Sequence, residues 1–274
     1  MVKEKLLLGC FGNKEKEYKQ YLKDIIVKNT DDETIFVEPF CGSAIISKTL
    51  HDEGNIKHFH INDIDHLRIE FYKNMKSKKK REELYKIETT IKEKGKEEYI
   101  KYVHRDKIKN DYWSYIIGNR IYSFRCGLFP TTKNIVVSPI GDNWIKFLNT
   151  TIITNQDYKD VIEKYKDNEN GFVYIDPPYL DSYNASYNKY TEKSTDEESN
   201  IIDNTQIYID LLEYLKICRC KILFSINSNA LTRYLYKDFI KRDYNRQYET
   251  TNINKIKETS KNKQNILIIC NFDL

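Results

Sequence analysis

Short apolar runs recur along this chain, and each gives way to polar residues just before a stretch with helical spacing. "IFVE" (35–38) leads into a turn at Gly42 and a helix from near Ser43. "HFHINDID" (58–65) leads into "HLRIEFYKNMK", and residues 150–154 lead into "NQDYKDVI". "GFVYID" before Pro177 and "CKILFSINS" (220–228) repeat the rhythm, and "NILIICNF" (265–272) follows a polar, hairpin-like loop. Apolar strands alternating with helices have to be covered on both faces, which implies an α/β domain with a largely parallel sheet. In such sheets ligands sit beyond the carboxyl ends of the strands. That rule puts Glu38–Gly42, Asn62–Asp65, Asn155–Tyr158, Asp176–Tyr179 and Asn227–Asn229 on one rim. Residues 75–148 break the rhythm and are aromatic and basic. They read as an inserted, mainly helical domain, helical over 95–127 and then a Pro- and Gly-punctuated loop to 144, within a main domain of 1–74 and 149–274.

With 274 residues the chain can bury a sizeable core. Its net charge of +4 permits an anionic partner without naming one, because Lys and Arg largely alternate with Glu and Asp. Aromatics at 13%, with 22 Tyr, argue against a disordered polyelectrolyte. No segment approaches about 20 consecutive apolar residues, and the apolar patch near the start is too short for a signal peptide. A cytoplasmic, non-membrane protein with reduced thiols is therefore expected. The six Cys and five His have no zinc-type spacing, so no metal is expected. The basic cluster Lys76–Arg81 reads as a solvated face or a helix junction.

Two rim segments carry chemistry. In "EPFCGSAII" a glycine stands between strand and helix, where backbone can approach a ligand and helix N–H groups are open. One glycine and no Lys suit a nucleotide-type cofactor without a phosphate better than they suit ATP. Asp63 could accept from a ribose diol, or cap the helix from His66. Asp157, with Tyr158 beside it, could accept from an adenine amino group. In "DPPY" (176–179) Pro177 ends the strand and frees a neighbouring carbonyl. That carbonyl and the Asp176 carboxylate together suit a planar amino group with two hydrogens, and Tyr179 could stack on the ring that bears it. Holding both hydrogens favours a pyramidal nitrogen whose lone pair can be aimed at an electrophile.

These segments resemble, in order, the Dam-type family of S-adenosylmethionine-dependent DNA adenine-N6 methyltransferases. "FVEPFCGSAIIS" is similar to the family's cofactor loop, "NDIDHLRIEFYKNMK" to its ribose-binding segment and "DPPY" to its catalytic tetrapeptide. "GCFGNKEKEYKQYL" is similar to its N-terminal segment and "NQDYKDVI" to the segment that meets the cofactor's adenine. The resemblance implies a Rossmann-like methyltransferase domain with an inserted target-recognition domain. It implies catalytic roles for Asp176, Pro177, Pro178 and Tyr179. It also implies cofactor contacts from Gly12, Lys14, Glu38, Pro39, Phe40, Gly42, Asp63, Asp157, Tyr158 and Asp176. DNA contacts are expected from Arg120, Phe124, Arg125, Lys133, Tyr183 and Tyr187. The implied reaction is direct displacement of a methyl group from S-adenosylmethionine by N6 of a flipped-out adenine, leaving S-adenosylhomocysteine. Double-stranded DNA is the implied partner, a restriction endonuclease a further candidate, and the expected state a monomer or weak dimer. Cytosine N4, an RNA adenine, or a silent binding protein that kept the fold remain the alternatives. Two departures stand out: Ala44 replaces a family glycine, and "NRIYSFRCGLFPTTK" follows the family's insertion only loosely.

Overall fold

The computed structural model describes residues 6–8, 14–103, 111–121, 135, 137–178, 180, 204–247 and 263–274. A seven-stranded sheet forms its centre, with strand order β3-β2-β1-β4-β5-β7-β6. The strands are β1 (Ile35–Glu38), β2 (His58–Asn62), β3 (Ile152–Thr154), β4 (Gly171–Ile175), β5 (Lys221–Asn227), β6 (Ile240–Gln247) and β7 (Lys263–Cys270). The first five run parallel, while β7 pairs antiparallel with both β5 and β6.

Side chains alternate across the sheet, and each face has its own cluster. Phe36, Phe172, Tyr174, Leu223, Ile266 and Ile268 fill one face. Val37, Val173, Ile175, Ile222, Phe224, Ile226, Leu267 and Ile269 fill the other. This is why the strands read as unbroken apolar runs: a residue on either face is buried. Phe36 and Phe172, in neighbouring strands, stack at 5.6 Å between ring centroids. Each large apolar side chain buried in this way contributes about 1.5–3 kcal/mol of transfer free energy.

The first face is covered by α2 (Lys23–Lys28), α3 (Ile45–Glu53), α4 (His66–Asn74), α5 (Lys78–Lys94), α6 (Lys96–Tyr102), α7 (Tyr112–Ile121) and α8 (Asp142–Thr150). A short α1 (Glu15–Glu17) and a π-helical turn (Tyr18–Leu22) precede α2. The second face is covered by α9 (Tyr158–Tyr165) and α10 (Thr205–Ile217), while α11 (Ala230–Leu235) follows β5. Leu84, Ile91, Tyr99, Tyr115 and Trp144, from the stretch expected to be an insertion, join the same cluster as Phe36 and Phe59. Arg81 donates to the carbonyls of Met75 and Lys76, so the basic cluster makes the α4–α5 junction.

Three elements differ from expectation, one of them β6, which lies where a polar, hairpin-like loop was expected. The helix after Gly42 begins at Ile45, because Ala44 takes a left-handed conformation, φ +53°, at its entry. Residues 142–150, read partly as loop, form α8, with Trp144, Phe147 and Leu148 on its buried side.

Candidate active site

The sheet order creates a crevice. From β1 the chain proceeds to β2 and β3 on one side, then returns to place β4 on the other side of β1. The connections leaving β1 and β4 thus diverge, which opens the space beyond their carboxyl ends to a ligand. The loop Pro39–Ala44 rises from β1 and Asp176 stands at the end of β4. The Asp176 side chain is 24% exposed, so it is not sealed in the core. Lys14, just before α1, is 5% exposed and its ammonium lies 2.7 Å from Asp176 Oδ1. Two residues far apart in sequence thus form an ion pair at the crevice. Beneath it lies the buried Tyr174, whose phenol burial pushes well above the ordinary range; the Asp176 charge adds to that and Lys14 opposes it.

The β1 loop is held from several directions. Asn62 takes the Cys41 N–H on its carbonyl at 2.8 Å and donates its side-chain amide to the Pro39 carbonyl at 3.0 Å. Gly42 has φ +48°, a conformation costly for a side chain, and its N–H donates to Asp63 Oδ2 at 2.9 Å. Its carbonyl accepts from Arg68 Nη1 at 3.0 Å and from the Tyr72 hydroxyl at 2.7 Å. Glu38 is 3% exposed and accepts the Ser47 N–H at 3.2 Å as well as the Ser47 hydroxyl. Ala44 has no side chain able to cap α3, and Glu38 supplies that missing acceptor to the third residue of the helix. Burial pushes the Glu38 carboxyl up to about 8, with bonds to Ser47 opposing the shift and the Asp176 charge adding to it.

At the end of β2 the two aspartates divide their work. Asp65, not Asp63, caps α4, accepting the Arg68 N–H at 3.2 Å. Asp63 accepts from Gly42 and from the Asp65 N–H, and burial raises its pKa while the Arg68 charge opposes the rise. Ile64, between them, is 72% exposed. Asn155, after β3, pins this segment by donating to the carbonyls of Asp63 and Ile64.

The neighbouring rim positions also have partners. Asp157 is exposed and caps α9 through the Lys159 N–H. The Tyr158 ring stacks on Phe40 at 5.0 Å, and its hydroxyl donates to Asp210 Oδ2 at 2.6 Å. The Pro178 carbonyl accepts from Tyr208 at 3.3 Å. Asn227 Oδ1, at the end of β5, is buried and has no hydrogen-bond partner among the described residues.

The crevice therefore brings together Lys14, Glu38, Pro39, Phe40, Gly42, Asp63 and the strand-ending Asp176. Gly12, Phe124, Arg125, Lys133, Tyr179, Tyr183 and Tyr187 lie outside the described residues. Arg120 does not stand where a phosphate contact was expected. It is 6% exposed, its guanidinium grips both oxygens of the buried Glu88 at 2.7 and 3.1 Å, and Nη1 donates to the Leu7 carbonyl at 2.7 Å. A residue whose donors are spent on a buried carboxylate and a carbonyl holds helices together. Sequence reasoning missed Arg68, Tyr72 and Asp210 as supports of the rim; only the i, i+4 spacing of Arg68 and Tyr72 on α4 marked any of them.

Among the described residues, no group of three or more His, Cys, Asp or Glu could hold a metal ion, and no helix is long and apolar enough to cross a membrane. The chain is 28% identical over 109 residues to the type II methyltransferase M.CviBI of Paramecium bursaria Chlorella virus NC1A. That match covers 40% of this chain and 37% of the relative, so it spans little more than a third of the relative's length. The profile of the D12 class N6 adenine-specific DNA methyltransferases matches far more, residues 11–122 and 131–261. These limits take in the Gly42 loop, the Asp63 segment, helix α7 and the Asp176 tetrapeptide, so the chain belongs to the D12 class N6 adenine-specific DNA methyltransferase family.

Proposed function

We propose that this chain methylates N6 of adenine in double-stranded DNA, as a Dam-type member of its family with a Rossmann-like catalytic domain. The observation that carries the reading is the crevice between β1 and β4. It sets a partly exposed Asp176, paired with Lys14, beside a glycine turn whose N–H and carbonyl are both fixed. The donor set fits S-adenosylmethionine. Asp63 presents a carboxylate at a strand end, as a ribose diol requires, and the exposed Ile64 beside it offers an apolar surface to a flat ring. Phe40 and Tyr158 make an aromatic wall, and no part of the loop asks for a phosphate.

When bound, S-adenosylmethionine supplies an electrophilic methyl group on a sulfonium. The protein's task is to hold and orient the acceptor. A carboxylate can accept several donors, so Asp176 can take an amino hydrogen while it keeps its pairing with Lys14. The carbonyl freed by Pro177 takes the second hydrogen, and Tyr179 stacks on the base. No strongly basic group is needed, because the nitrogen loses its proton during or after attack. The base has to leave the duplex stack first, at a cost of about a few kcal/mol. We assign the reading of target sequence to residues 75–148, with Phe124, Arg125, Lys133, Tyr183 and Tyr187 as the proposed DNA contacts. A cognate restriction endonuclease is the second partner we propose, in keeping with a relative named as a type II methyltransferase.

The test incubates the protein with methyl-tritiated cofactor and unmethylated A+T-rich duplex DNA, then digests the product to nucleosides. Label in N6-methyl-2′-deoxyadenosine is the expected result. Label confined to N4-methylcytosine, or to an RNA substrate, overturns the acceptor assignment.

A further inference from the structure

Helix α7 lies far from the Gly42 loop in sequence, yet it is bonded to Asp65, the cap of the helix that holds that loop. Its Tyr115 is fully buried, and the hydroxyl donates to Asp65 Oδ2. The other Asp65 oxygen accepts the Arg68 N–H at 3.2 Å. The Arg68 guanidinium sits between two carboxylates, with Nε 3.6 Å from Asp65 Oδ2 and 3.9 Å from Asp63 Oδ2. From there Nη1 reaches the Gly42 carbonyl at 3.0 Å. The Gly42 N–H, in the preceding peptide group, goes to Asp63. One turn and a half farther along α7, Arg120 ties the helix to the Leu7 carbonyl, in the segment leading to Lys14. A single helix thus bonds both to Asp65 and to Leu7.

We propose that Tyr115 is a positioning residue for the cofactor. Acting through Asp65 and Arg68, it fixes the Gly42 peptide and thereby sets the affinity for S-adenosylmethionine. The proposal rests on the family's use of that cofactor and on nothing assumed about the target. The physical ground is that Asp65 has two tasks, capping α4 and steering Arg68, and the Tyr115 hydroxyl fixes the carboxylate orientation that serves both. Without the hydroxyl, Asp65 can turn to the guanidinium or to water. Arg68 then loses its fixed approach to the Gly42 carbonyl, and the positive-φ turn loses one of two donors holding it. A shift of Gly42 as a whole also moves its N–H, which meets Asp63.

Calorimetric titration with S-adenosylhomocysteine, without DNA, tests this independently of turnover. The variants are Tyr115→Phe, Asp65→Asn, their double, and Tyr165→Phe. Tyr165→Phe removes another tyrosine hydroxyl bond, to His60 at 2.9 Å, away from the loop. Tyr115→Phe is expected to weaken binding about tenfold, the scale of a hydrogen bond to a charged group. The double variant is expected to be no weaker than the weaker single, since both cut one relay. Tyr165→Phe is expected to stay within about twofold. Tyr115→Phe binding as tightly as wild type, multiplying losses in the double, or an equal loss in Tyr165→Phe overturns the proposal. If Tyr115→Phe does not fold, Asp65→Asn carries the test, since Asn keeps an acceptor for the helix cap; unchanged affinity then refutes the relay. Failure of the wild type to bind either S-adenosylmethionine or S-adenosylhomocysteine refutes the cofactor reading itself, a distinct result.

Discussion

Replacing Arg120 by Met removes the partner of the Glu88 carboxylate, which is 1% exposed. Breaking a buried ion pair from one side costs about 3–5 kcal/mol, because the remaining charge stays desolvated. The Leu7 carbonyl also loses its donor, which adds to the loss unless it reaches water. With a urea m-value of about 3 kcal/mol per M for a chain of this size, the unfolding midpoint should fall by about 1–2 M. A second substitution, Glu88→Leu, removes the stranded charge and should recover most of the loss, leaving about 1–3 kcal/mol for the Leu7 carbonyl. Circular dichroism in a urea series reads both variants. A phosphate-gripping arginine would behave otherwise. Its loss would leave the stability within about 0.5 kcal/mol of wild type and reduce the salt dependence of DNA binding by about one phosphate contact. That second pattern would refute the structural assignment of Arg120.

The other expectations are more local. Asp176→Asn, which keeps the shape beside Lys14, should lower turnover by about 10³-fold or more while calorimetry finds cofactor affinity within about threefold; retained turnover removes Asp176 from the chemistry. Glu38 has its pKa raised by folding, from 4.5 to about 8, so the folded state holds a proton that the unfolded state releases. The stability this provides is complete below 4.5 and lost as pH rises through 8. Glu38→Gln should therefore flatten the stability profile across that window by at most a few kcal/mol, as thermal melts at stepped pH would measure; an unchanged slope denies the shift. Ala44 sits at positive φ with its methyl fully buried, so Ala44→Gly trades strain relief against a lost methyl contact and should stay within about 1 kcal/mol of wild type. Ala44→Val, with a branched side chain in the left-handed region, should lose more than about 2 kcal/mol in urea unfolding, and a neutral Val would contradict that geometry.

The sheet was legible wherever burial on both faces forced a continuous apolar run, as in "GFVYI" and "KILFSIN". It was illegible at β6, "IKRDYNRQ", whose Lys241, Arg242 and Asp243 are exposed. Such charges are what an edge strand carries to discourage further pairing, and they mimic a loop in the sequence. Helix α8 was hidden for another reason. Its Trp144, Phe147 and Leu148 have helical spacing, but Asn and Thr at its ends and the Gly before it gave the window a loop-like composition. The rim was legible because strand ends can be read one at a time. Its supports were not: Tyr115 reaches Asp65, Arg120 reaches Glu88 and Lys14 reaches Asp176 only after the sheet has been assembled. Local pattern does not encode such pairings.

The crevice also explains why an ion pair and a neutral acid occur together in it. Glu38 and Asp176 stand at the ends of adjacent strands, and the Asp176 charge adds to the cost of ionising Glu38. Two carboxylates in one poorly solvated place are accommodated by separating their protonation states. Burial and the like charge keep the proton on Glu38, which then serves as an anchor for α3 through Ser47. Asp176 is instead matched by Lys14 and keeps access to solvent. The division suits the proposed chemistry: the acid proposed to accept an amino hydrogen is paired with a cation, while Glu38, at the base of the Gly42 loop, anchors α3.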